Sequence, residues 1–295
     1  MTQRSCPSCG DDGRVDCRPL SAVEIDAVPT GITADDLLPD RWRDYSTRAA
    51  GGWLNGELIA VGRIYTSRIH ASRYWTDIEV ALDHRGRGHG QQMVDHLAGL
   101  RAEPKPLCTR GYVSSEAIAF ARHLGARPYQ TCPPQQVPTQ AFTHLAAGTT
   151  PTVSGAAVDR ADLGQAWVDT YDWVHHSWSP VRPGSEHLVL NELADVDLTH
   201  TRLVATPMIR AAAYVFADPT GTVIVAECRT ATEPGGLDLL RACVRDSLRS
   251  LAAASITDVT FDGHDTDPHF RPLLNELPAT GEAFELVEWD PSRLR

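Results

Sequence analysis

A glycine-rich run separates a stretch with the alternation of a β-strand from a stretch with the period of an amphipathic helix. It covers residues 84–93 and reads His-Arg-Gly-Arg-Gly-His-Gly-Gln-Gln-Met. Glycines at a strand-to-helix turn let the backbone come close to a ligand. The first N–H groups of the helix lack carbonyl partners, and with the helix dipole they attract an anion. Arg85 and Arg87 add positive charge there, so the run predicts a binding site for a pyrophosphate. A solvent-exposed Arg/Gly turn is the plain alternative.

The spacing within this run distinguishes it from two other phosphate-binding turns. It has neither the Lys-Ser/Thr pair of a Walker loop nor the third glycine and following acid of a dinucleotide-binding unit. Arg85-x-x-Gly88-x-Gly90 instead resembles the coenzyme A pyrophosphate motif of the GNAT superfamily of N-acetyltransferases, (Gln/Arg)-x-x-Gly-x-(Gly/Ala). The resemblance implies that acetyl-CoA or another acyl-CoA binds here. The residues that it places at the cofactor are Val80, Ala81, Leu82, Arg85, Gly86, Arg87, Gly88, His89, Gly90, Gln91, Ser114 and Phe120.

The predicted elements of the first half follow the order of the GNAT fold. Strands are predicted at residues 14–18, 52–54, 57–65, 75–82 and 107–113, and helices at residues 21–27, 39–49 and 114–124, besides the helix that the glycine run opens. Asn55-Gly56 between two apolar runs is a strong hairpin signal. The resemblance implies an α/β (α+β) chain of two GNAT-like domains in tandem. Each would be a mixed, mostly antiparallel twisted sheet flanked by helices.

The second half repeats this order of elements in a weaker form. We expect a tail over residues 1–12, a coenzyme-binding domain over 13–147, a linker over 148–155 and a second domain over 156–295. The segment at 268–277 resembles the ending of tandem GNAT proteins such as the mycothiol synthases. Where the glycine turn should recur, Glu233 would repel a pyrophosphate and Pro234 lacks a donor N–H. We therefore expect a degenerate second domain that completes the acceptor pocket.

Acyl transfer to an amine needs a proton acceptor, a donor to the developing oxyanion and in-line placement of the reactants. On the strand before the glycine run, a period of two puts Trp75, Asp77, Glu79 and Ala81 on one face. Glu79 is the candidate general base, directly or through a water, and Asp77 is the second candidate. GNAT enzymes often carry a glutamate on this strand, and a solvated acidic face is the alternative. The backbone N–H of Val80 or Ala81 would face the oxyanion.

A second GNAT signature, usually Ala-x-x-x-Tyr-x-x-x-Gly-Phe, is similar to residues 117–126. Ala121 replaces the tyrosine that in many members protonates the departing thiolate, and Ala126 replaces the final Phe. A thiolate with an ordinary pKa of about 8.5 is a fair leaving group without that acid. Ser114 stands where many members carry an asparagine that touches the cofactor, and an N-cap is its alternative role.

The composition restricts the partners. A net charge of −11 with a pI near 5.5 argues against nucleic acid and suits a small-molecule amine. No apolar run is long enough to cross a membrane, so no membrane partner is expected. Residues 1–6 have no apolar segment of the signal-peptide kind, and we expect a cytoplasmic protein.

Cys6-Pro7-Ser8-Cys9-Gly10 resembles one knuckle of a zinc ribbon, and Cys17 could be a third ligand. A structural zinc site needs four ligands, usually from two knuckles, and the sequence has no second one. We expect no metal, with a tail of incidental thiols. A zinc site at Cys6, Cys9 and Cys17 is the alternative.

A cluster of aromatic and imidazole side chains lies near residues 171–180 of the second half. His175, His176 and Trp178 are the candidate acceptor-binding residues. Neighbouring side chains on a helix point apart, so the two histidines are not expected to share a metal. The alternative is that the tryptophans pack in a core and one histidine faces a cleft.

These expectations combine into one activity. The chain would be an acyltransferase for groups other than aminoacyl groups, and would move an acetyl or short acyl group from acyl-CoA to a small-molecule amine in a direct ternary complex. Two alternatives stay open: a non-catalytic acyl-CoA-binding or regulatory protein, and a peptide or protein N-acetyltransferase.

Overall fold

The computed structural model describes residues 13–25, 38–40, 42–146, 148–218 and 221–293 of the chain. The described residues form two mixed sheets with helices packed against them. The strands are β1 (Asp16–Pro19), β2 (Arg48–Leu54), β3 (Glu57–Tyr65), β4 (Tyr74–Val80), β5 (Leu107–Tyr112), β6 (Arg127–Cys132), β7 (Gln136–Pro138), β8 (Val153–Ser154), β9 (Arg202–Ala205), β10 (Ile209–Asp218), β11 (Gly221–Cys228), β12 (Asp258–Phe261) and β13 (Phe284–Trp289). The helices are α1 (Ala22–Ile25), α2 (His89–Gly99), α3 (Glu116–His123), α4 (Arg160–His176), α5 (Glu186–Glu192), α6 (Gly236–Ala253) and α7 (Phe270–Leu274). Within the described ranges, no helix is long and apolar enough to cross a membrane.

The two sheets exchange strands. The first has the order β1-β2-β3-β4-β5-β13-β6, so the last strand of the chain lies between two strands of the first half. β13 runs antiparallel to β5, with Phe284 opposite Tyr112 and Trp289 opposite Leu107. The second sheet has the order β7-β12-β11-β10-β9-β8, and β7 from the first half forms one edge. The predicted boundary at residues 148–155, which contains β8, therefore does not coincide with the division between the sheets.

Helix packing explains the two faces of the first sheet. Met93, Val94 and Leu97 of α2 are fully buried, as their helical spacing predicts. The helix comes so close to β3 that a Cβ on Gly62 would lie 2.8 Å from Leu97 and 2.9 Å from Met93. Ile78 and Val80 of β4 pack into the same cluster. The opposite face of β4 is therefore the one left for a ligand.

The local turn signals of the first half are confirmed. The hairpin between β2 and β3 turns at Asn55 (φ 53°) and Gly56 (φ 86°), which suits an Asn-Gly pair. Gly125, at φ 80°, ends α3 as a C-cap glycine should.

The helix predicted at residues 39–49 is wrong. Asp40 accepts hydrogen bonds from the amides of Trp42 (2.7 Å) and Arg43 (2.6 Å), and Asp44 accepts one from Ser46 (2.9 Å). Short acidic side chains that bond to nearby amides compete with helical hydrogen bonds. The segment is therefore a sequence of turns that leads into β2. Of the helix predicted at 21–27, the structure gives α1, and residues 26 and 27 lie outside the described ranges.

Candidate functional site

The strands β4 and β5 open into a wedge. They are parallel neighbours, and in the described chain they pair at two levels, Tyr74 with Leu107 and Trp75 with Cys108. Backbone groups alternate between the two edges of a strand. The amide of Tyr74 bonds to the carbonyl of Pro106 on the β5 side (2.9 Å). The same alternation directs the amides of Ile78 and Val80 into the wedge, beyond the last paired level.

One predicted oxyanion donor is excluded by this geometry. The amide of Ala81 donates to the carbonyl of Ile59 on β3 (2.8 Å), so it faces away from the wedge. Ala81 and Leu82 also lie outside β4, which ends at Val80, whereas the predicted strand ran to residue 82. Val80 keeps the predicted orientation, and Ile78 is a further donor that the sequence reasoning missed.

The glycine run forms the turn that its sequence predicts. Gly86 (φ 71°) and Gly88 (φ 85°) both take the left-handed backbone conformation, and Gly88 is the N-cap of α2. The amide of Gln92 makes the first helical hydrogen bond, to the carbonyl of Gly88 (3.1 Å). The three preceding amides of the first turn have no helical acceptor. This first turn carries no acidic residue, so it fits an anion such as a pyrophosphate.

Arg85 crosses the mouth of the wedge. Its Nε donates to the carbonyl of Val80 (2.9 Å), and a terminal nitrogen donates to Glu116 in the first turn of α3 (2.6 Å). The second terminal nitrogen lies 4.0 Å from Oε1 of Glu79. Arg87 is exposed. Arg85 thus links the end of β4 to α3 at the point where an anionic ligand would enter.

The side chain of His89 turns inward from the glycine turn. It is 3% exposed, and both ring nitrogens lack a hydrogen-bond partner among the described residues. The ring of His84 lies 6.2 Å away and has an unpartnered Nδ1. Burial lowers the pKa of His89, and the neighbouring His84 and Arg87 lower it further. Its imidazole is neutral at neutral pH, so the turn relies on amides and arginines for positive charge.

Phe120 and Ser114 occupy different positions at α3. Phe120 packs over α2, because a Cβ on Gly90 would lie 3.1 Å from its ring. The N-cap of α3 is Ser115, whose Oγ accepts from the amide of Ile118. Ser114 is therefore not the N-cap, and its Oγ donates to Glu282 (2.7 Å).

The acids of β4 lie on the face opposite α2. Asp77 stands opposite Arg63 of β3 and forms an ion pair with it (2.6 Å). Glu79 stands opposite Val61, is about one-third exposed, and has Arg85 as its nearest cation. The structure thus brings the two predicted acids together with the wedge, and gives Asp77 a fixed cationic partner.

β5 adds two side chains that the sequence reasoning missed. The guanidinium carbon of Arg110 lies 5.4 Å from the centre of the Trp75 ring, so Arg110 shares the face of the acids. Two residues further along β5, Tyr112 is 54% exposed. Its ring meets that of Phe284 edge-on, with the ring centres 5.4 Å apart. Period-two alternation along β5 could have placed both on this face. Tyr112 also lines a groove of about 250 Å³ together with Gln135, Gln136, Thr260, Thr280, Gly281 and Glu282.

The predicted acceptor residues of the second half lie elsewhere. His175 joins a cluster with His70, Tyr171, Trp178 and His264, in which neighbouring rings are 4.1–5.8 Å apart. His176 is exposed and points away, as adjacent helical positions require.

This imidazole cluster contacts the first half at the start of β4, whereas the two acids lie toward the end of that strand. The carbonyl of Trp178 accepts from Arg73, the residue before β4 (2.6 Å). Glu79 lies six residue steps along the strand from Arg73, which is roughly 20 Å. The structure therefore does not bring His175, His176 or Trp178 to the predicted base.

The second half has a similar wedge that its own side chains fill. β11 and β12 are parallel and pair at Val223 and Ile224. The indole of Trp173 (3.1 Å) and the hydroxyl of Thr170 (3.5 Å) both donate to the carbonyl of Cys228 at the end of β11. In the first half the corresponding carbonyl, that of Val80, accepts from Arg85 at the mouth of the wedge, whereas here two side chains of α4 cover the backbone.

The helix start in the second half is also covered. Gly235 is the N-cap of α6. His269 packs so closely on Gly236 that a Cβ there would lie 2.5 Å from its Nε2. Glu233 stands before the turn and pairs with Arg210 (2.6 Å). These contacts cover the place where the glycine turn of the first half would recur.

A buried acid pair lies behind this second wedge. Glu227 of β11 is 3% exposed and Asp267 is 2% exposed. Burial raises the pKa of Glu227 well above its ordinary value, and Asp267 raises it further. The buried pair is therefore unlike Glu79, which is partly exposed on the open face of β4.

No metal site is found in the described part of the chain. No group of three His, Cys, Asp or Glu side chains there could hold an ion. Cys17 is half-buried, and burial raises the pKa of its thiol. Cys6 and Cys9 lie outside the described residues, so the alternative of a zinc knuckle stays untested.

The fold is that of tandem GNAT N-acetyltransferases. A GCN5-related N-acetyltransferase from Sphaerobacter thermophilus superposes with a TM-score of 0.55 at 13% identity, over 95% of this chain and 96% of that one. A tandem GNAT protein from the clavulanic acid biosynthesis pathway gives 0.56 at 12% identity, over 94% and 99%. A probable N-acyltransferase from Enterococcus faecalis gives 0.54 at 11% identity, over 93% and 72%. The sequence matches no family model and no curated protein.

Proposed function

We propose that this chain transfers an acetyl or other short acyl group from acyl-CoA to the amine of a small molecule. The observation that carries the proposal is the junction of two features. The glycine turn at Gly88 presents free amides to an anion, and it adjoins a wedge in which β4 presents the amides of Ile78 and Val80. Glu79 stands on the open face of the same strand.

The chain has a part for each segment of acyl-CoA. The first-turn amides of α2 hold the pyrophosphate, with Arg85 and Arg87 beside them. The backbone of Ile78 and Val80 lines the pantetheine arm, and one of these two amides donates to the oxyanion that develops on the acyl carbon. When bound, acyl-CoA supplies an activated acyl carbon and a thiolate leaving group.

Glu79 is the residue best placed to accept the amine proton. In the transfer, the amine nitrogen bonds to the acyl carbon, the carbon–sulfur bond breaks, and its electron pair leaves with the thiolate. The proton from the nitrogen passes to the carboxylate of Glu79. Asp77 forms an ion pair with Arg63 and remains the second candidate for the proton acceptor. Ala121 is buried in the core, so α3 gives no acid at the position of the family tyrosine.

The amine acceptor enters over the exposed face of β4 and β5. The groove at Tyr112 adjoins this face. Its other wall includes Gln136 of β7 and Thr260 of β12, which belong to the second sheet. The covered second wedge supports a single acyl-CoA site, in the first half. The second half then shapes the acceptor side instead of binding a second coenzyme.

The test measures thiol release from acetyl-CoA with a panel of small amines and with peptides, and identifies the acylated product by mass. Gly88→Asn and Gly88→Asp serve as a matched pair for the coenzyme site. Release that depends on a small amine supports the proposal. Release with peptides alone would show a peptide acetyltransferase. Coenzyme A binding without any amine-dependent release would show a binding protein.

A further inference from the structure

We infer that the acceptor carries a carboxylate as well as its amine, and that Arg110 binds this carboxylate. The inference rests on the proposed acyl transfer, and it adds the chemical class of the acceptor. Arg110 lies on β5, across the wedge from the acids of β4, where an acceptor would bridge the two strands.

The register places Arg110 relative to the acids. Trp75 of β4 pairs with Cys108 of β5, and the strands run parallel. Two residues further along each strand are Asp77 and Arg110, and four residues further are Glu79 and Tyr112. The contact of Arg110 with the Trp75 ring, at 5.4 Å, confirms that its side chain is on the acidic face.

Arg110 differs from the other arginines near this face in having no carboxylate partner among the residues that the structure describes. Arg63 pairs with Asp77 (2.6 Å), Arg73 with Glu288 (2.5 Å) and Arg85 with Glu116 (2.6 Å). Arg110 is exposed, and within the described part of the chain its guanidinium lies beside the Trp75 ring. Its guanidinium is therefore free to take an anion from solution.

The surroundings of Arg110 hold it without neutralising it. The indole of Trp75 lies beside the guanidinium, with 5.4 Å between the guanidinium carbon and the ring centre, and the ring face attracts the cation. Its charge lowers the pKa of Tyr65 on β3 and of Cys132 on β6, although burial and nearby acids raise both overall.

An arginine is well suited to this recognition. Its planar fork donates two parallel hydrogen bonds to a carboxylate, and charge-assisted bonds of this kind are stronger than neutral ones. An acceptor with its amine at Glu79 and its carboxylate at Arg110 would span the wedge at the acyl carbon. The polar groove at Tyr112 leaves room for a hydrophilic remainder.

The test compares amino acids of increasing length with their carboxamides, from glycine through β-alanine to 4-aminobutanoate and 5-aminopentanoate. Wild-type protein should give a kcat/KM about 10- to 100-fold higher for at least one acid than for its amide. The preference should appear as a lower KM for the acid than for its amide. Arg110→Met should remove it by raising KM for the acids much more than KM for the amides, and Arg110→Lys should restore part of it.

Arg249→Met is the matched control, because Arg249 is 56% exposed on α6 of the second half and lies outside the site. It should keep the wild-type preference. Equal kcat/KM for acids and amides in the wild type would overturn the inference while leaving acyl transfer intact. An equal loss for acids and amides in Arg110→Met would show a structural role and overturn it too.

Binding separates the inference from the proposed function. If no amine is acylated, calorimetry with the N-acetyl amino acids and their N-acetyl amides, in the presence of coenzyme A, decides the point. Binding of the acids that Arg110→Met abolishes supports the carboxylate site even without turnover. Absence of binding by every acid overturns it.

Discussion

Arg85 donates a 2.6 Å hydrogen bond to Glu116 and so spans the gap between the end of β4 and the start of α3. Glu116 is 84% exposed and Arg85 is 41% exposed. The pair stands at the entrance to the wedge, beside the free amides of α2. In the proposed coenzyme site, a pyrophosphate would compete with Glu116 for Arg85 and would be repelled by the same carboxylate.

Glu116→Gln should therefore tighten the binding of coenzyme A. An exposed ion pair is worth about 0.2–1 kcal/mol, so the expected gain in affinity is about 2- to 5-fold. Calorimetric titration at low and high salt measures it, and the gain should shrink as salt screens the charge. Glu103→Gln, another exposed acid that pairs with Lys105 away from the site, is the control. Unchanged or weaker binding in Glu116→Gln would mean that the ion pair preorganises Arg85 instead of competing for it.

Gly88→Asp should abolish coenzyme A binding, whereas Gly88→Asn should weaken it much less. Both side chains tolerate the left-handed backbone of Gly88, and a Cβ there meets nothing within 4 Å. The two variants differ in one negative charge at the anion site. Affinity is measured by calorimetry and folding by thermal denaturation.

Gly235→Asp provides the internal comparison for that charge. Gly235 is the N-cap of α6, in the corresponding place of the second half. Because His269 and the side chains of α4 cover this second site, the variant should bind one coenzyme A per chain with wild-type affinity. A second binding event in the wild type, lost in Gly235→Asp, would contradict the single site.

Glu79→Gln should lower kcat by about 10²- to 10⁴-fold, the usual contribution of a general base. The amide keeps the shape of the side chain but cannot accept the proton, so the affinity for acetyl-CoA should barely change. The acidic limb of the pH–rate profile should also disappear. Steady-state kinetics between pH 5.5 and 9 measure these effects.

Asp77→Asn is the comparison that identifies the base. Asp77 is held by Arg63 at 2.6 Å, so its loss should disturb packing near Tyr65 and lower kcat less than 10-fold. If Asp77→Asn produces the larger loss, the proton acceptor is Asp77. Wild-type rates in both variants would remove general-base catalysis from β4.

The features that sequence predicted here are local ones. The Asn55-Gly56 hairpin and the Gly88 turn each depend on residues that need positive φ, and such a need is visible in a few neighbouring letters. The alternation that sets Glu79 apart from the α2 face is equally local. The tandem GNAT fold was expected from the resemblance of the glycine motif and of the order of elements to that family.

Features that depend on distant parts of the chain were not predictable from local pattern. β13 carries the pattern of an ordinary final strand, and nothing in it indicates that it inserts beside β5. The imidazole cluster combines His70 from the first half with His175 and His264 from the second, three histidines with unrelated sequence neighbourhoods. The turns at Asp40 and Asp44 depend on side-chain hydrogen bonds that compete with a helical pattern.

The imidazole cluster predicts a loss of stability in mild acid. Burial lowers the pKa of His70, His175 and His264 below the ordinary value of 6.5, and in His175 the other two imidazoles lower it further. Arg73 lowers the pKa of His70, whereas Asp262, Asp265 and Asp267 partly offset the effect at His264. The folded protein therefore holds these rings neutral.

The sign of the effect follows from proton binding. Below pH 6.5 the histidines of the unfolded chain bind protons, whereas the buried histidines of the folded chain stay neutral. The free energy of unfolding is therefore highest above pH 6.5 and falls as the pH drops below that value. Each histidine contributes a slope of up to about 1.4 kcal/mol per pH unit. Between pH 6.5 and 5, the free energy of unfolding of His175→Gln should fall less steeply than that of the wild type, by up to about 1.4 kcal/mol per pH unit. Urea denaturation at a series of pH values measures both slopes. His176→Gln changes the adjacent, exposed residue and should keep the wild-type slope. Equal slopes in wild type and His175→Gln would show that the buried ring does not set the acid sensitivity.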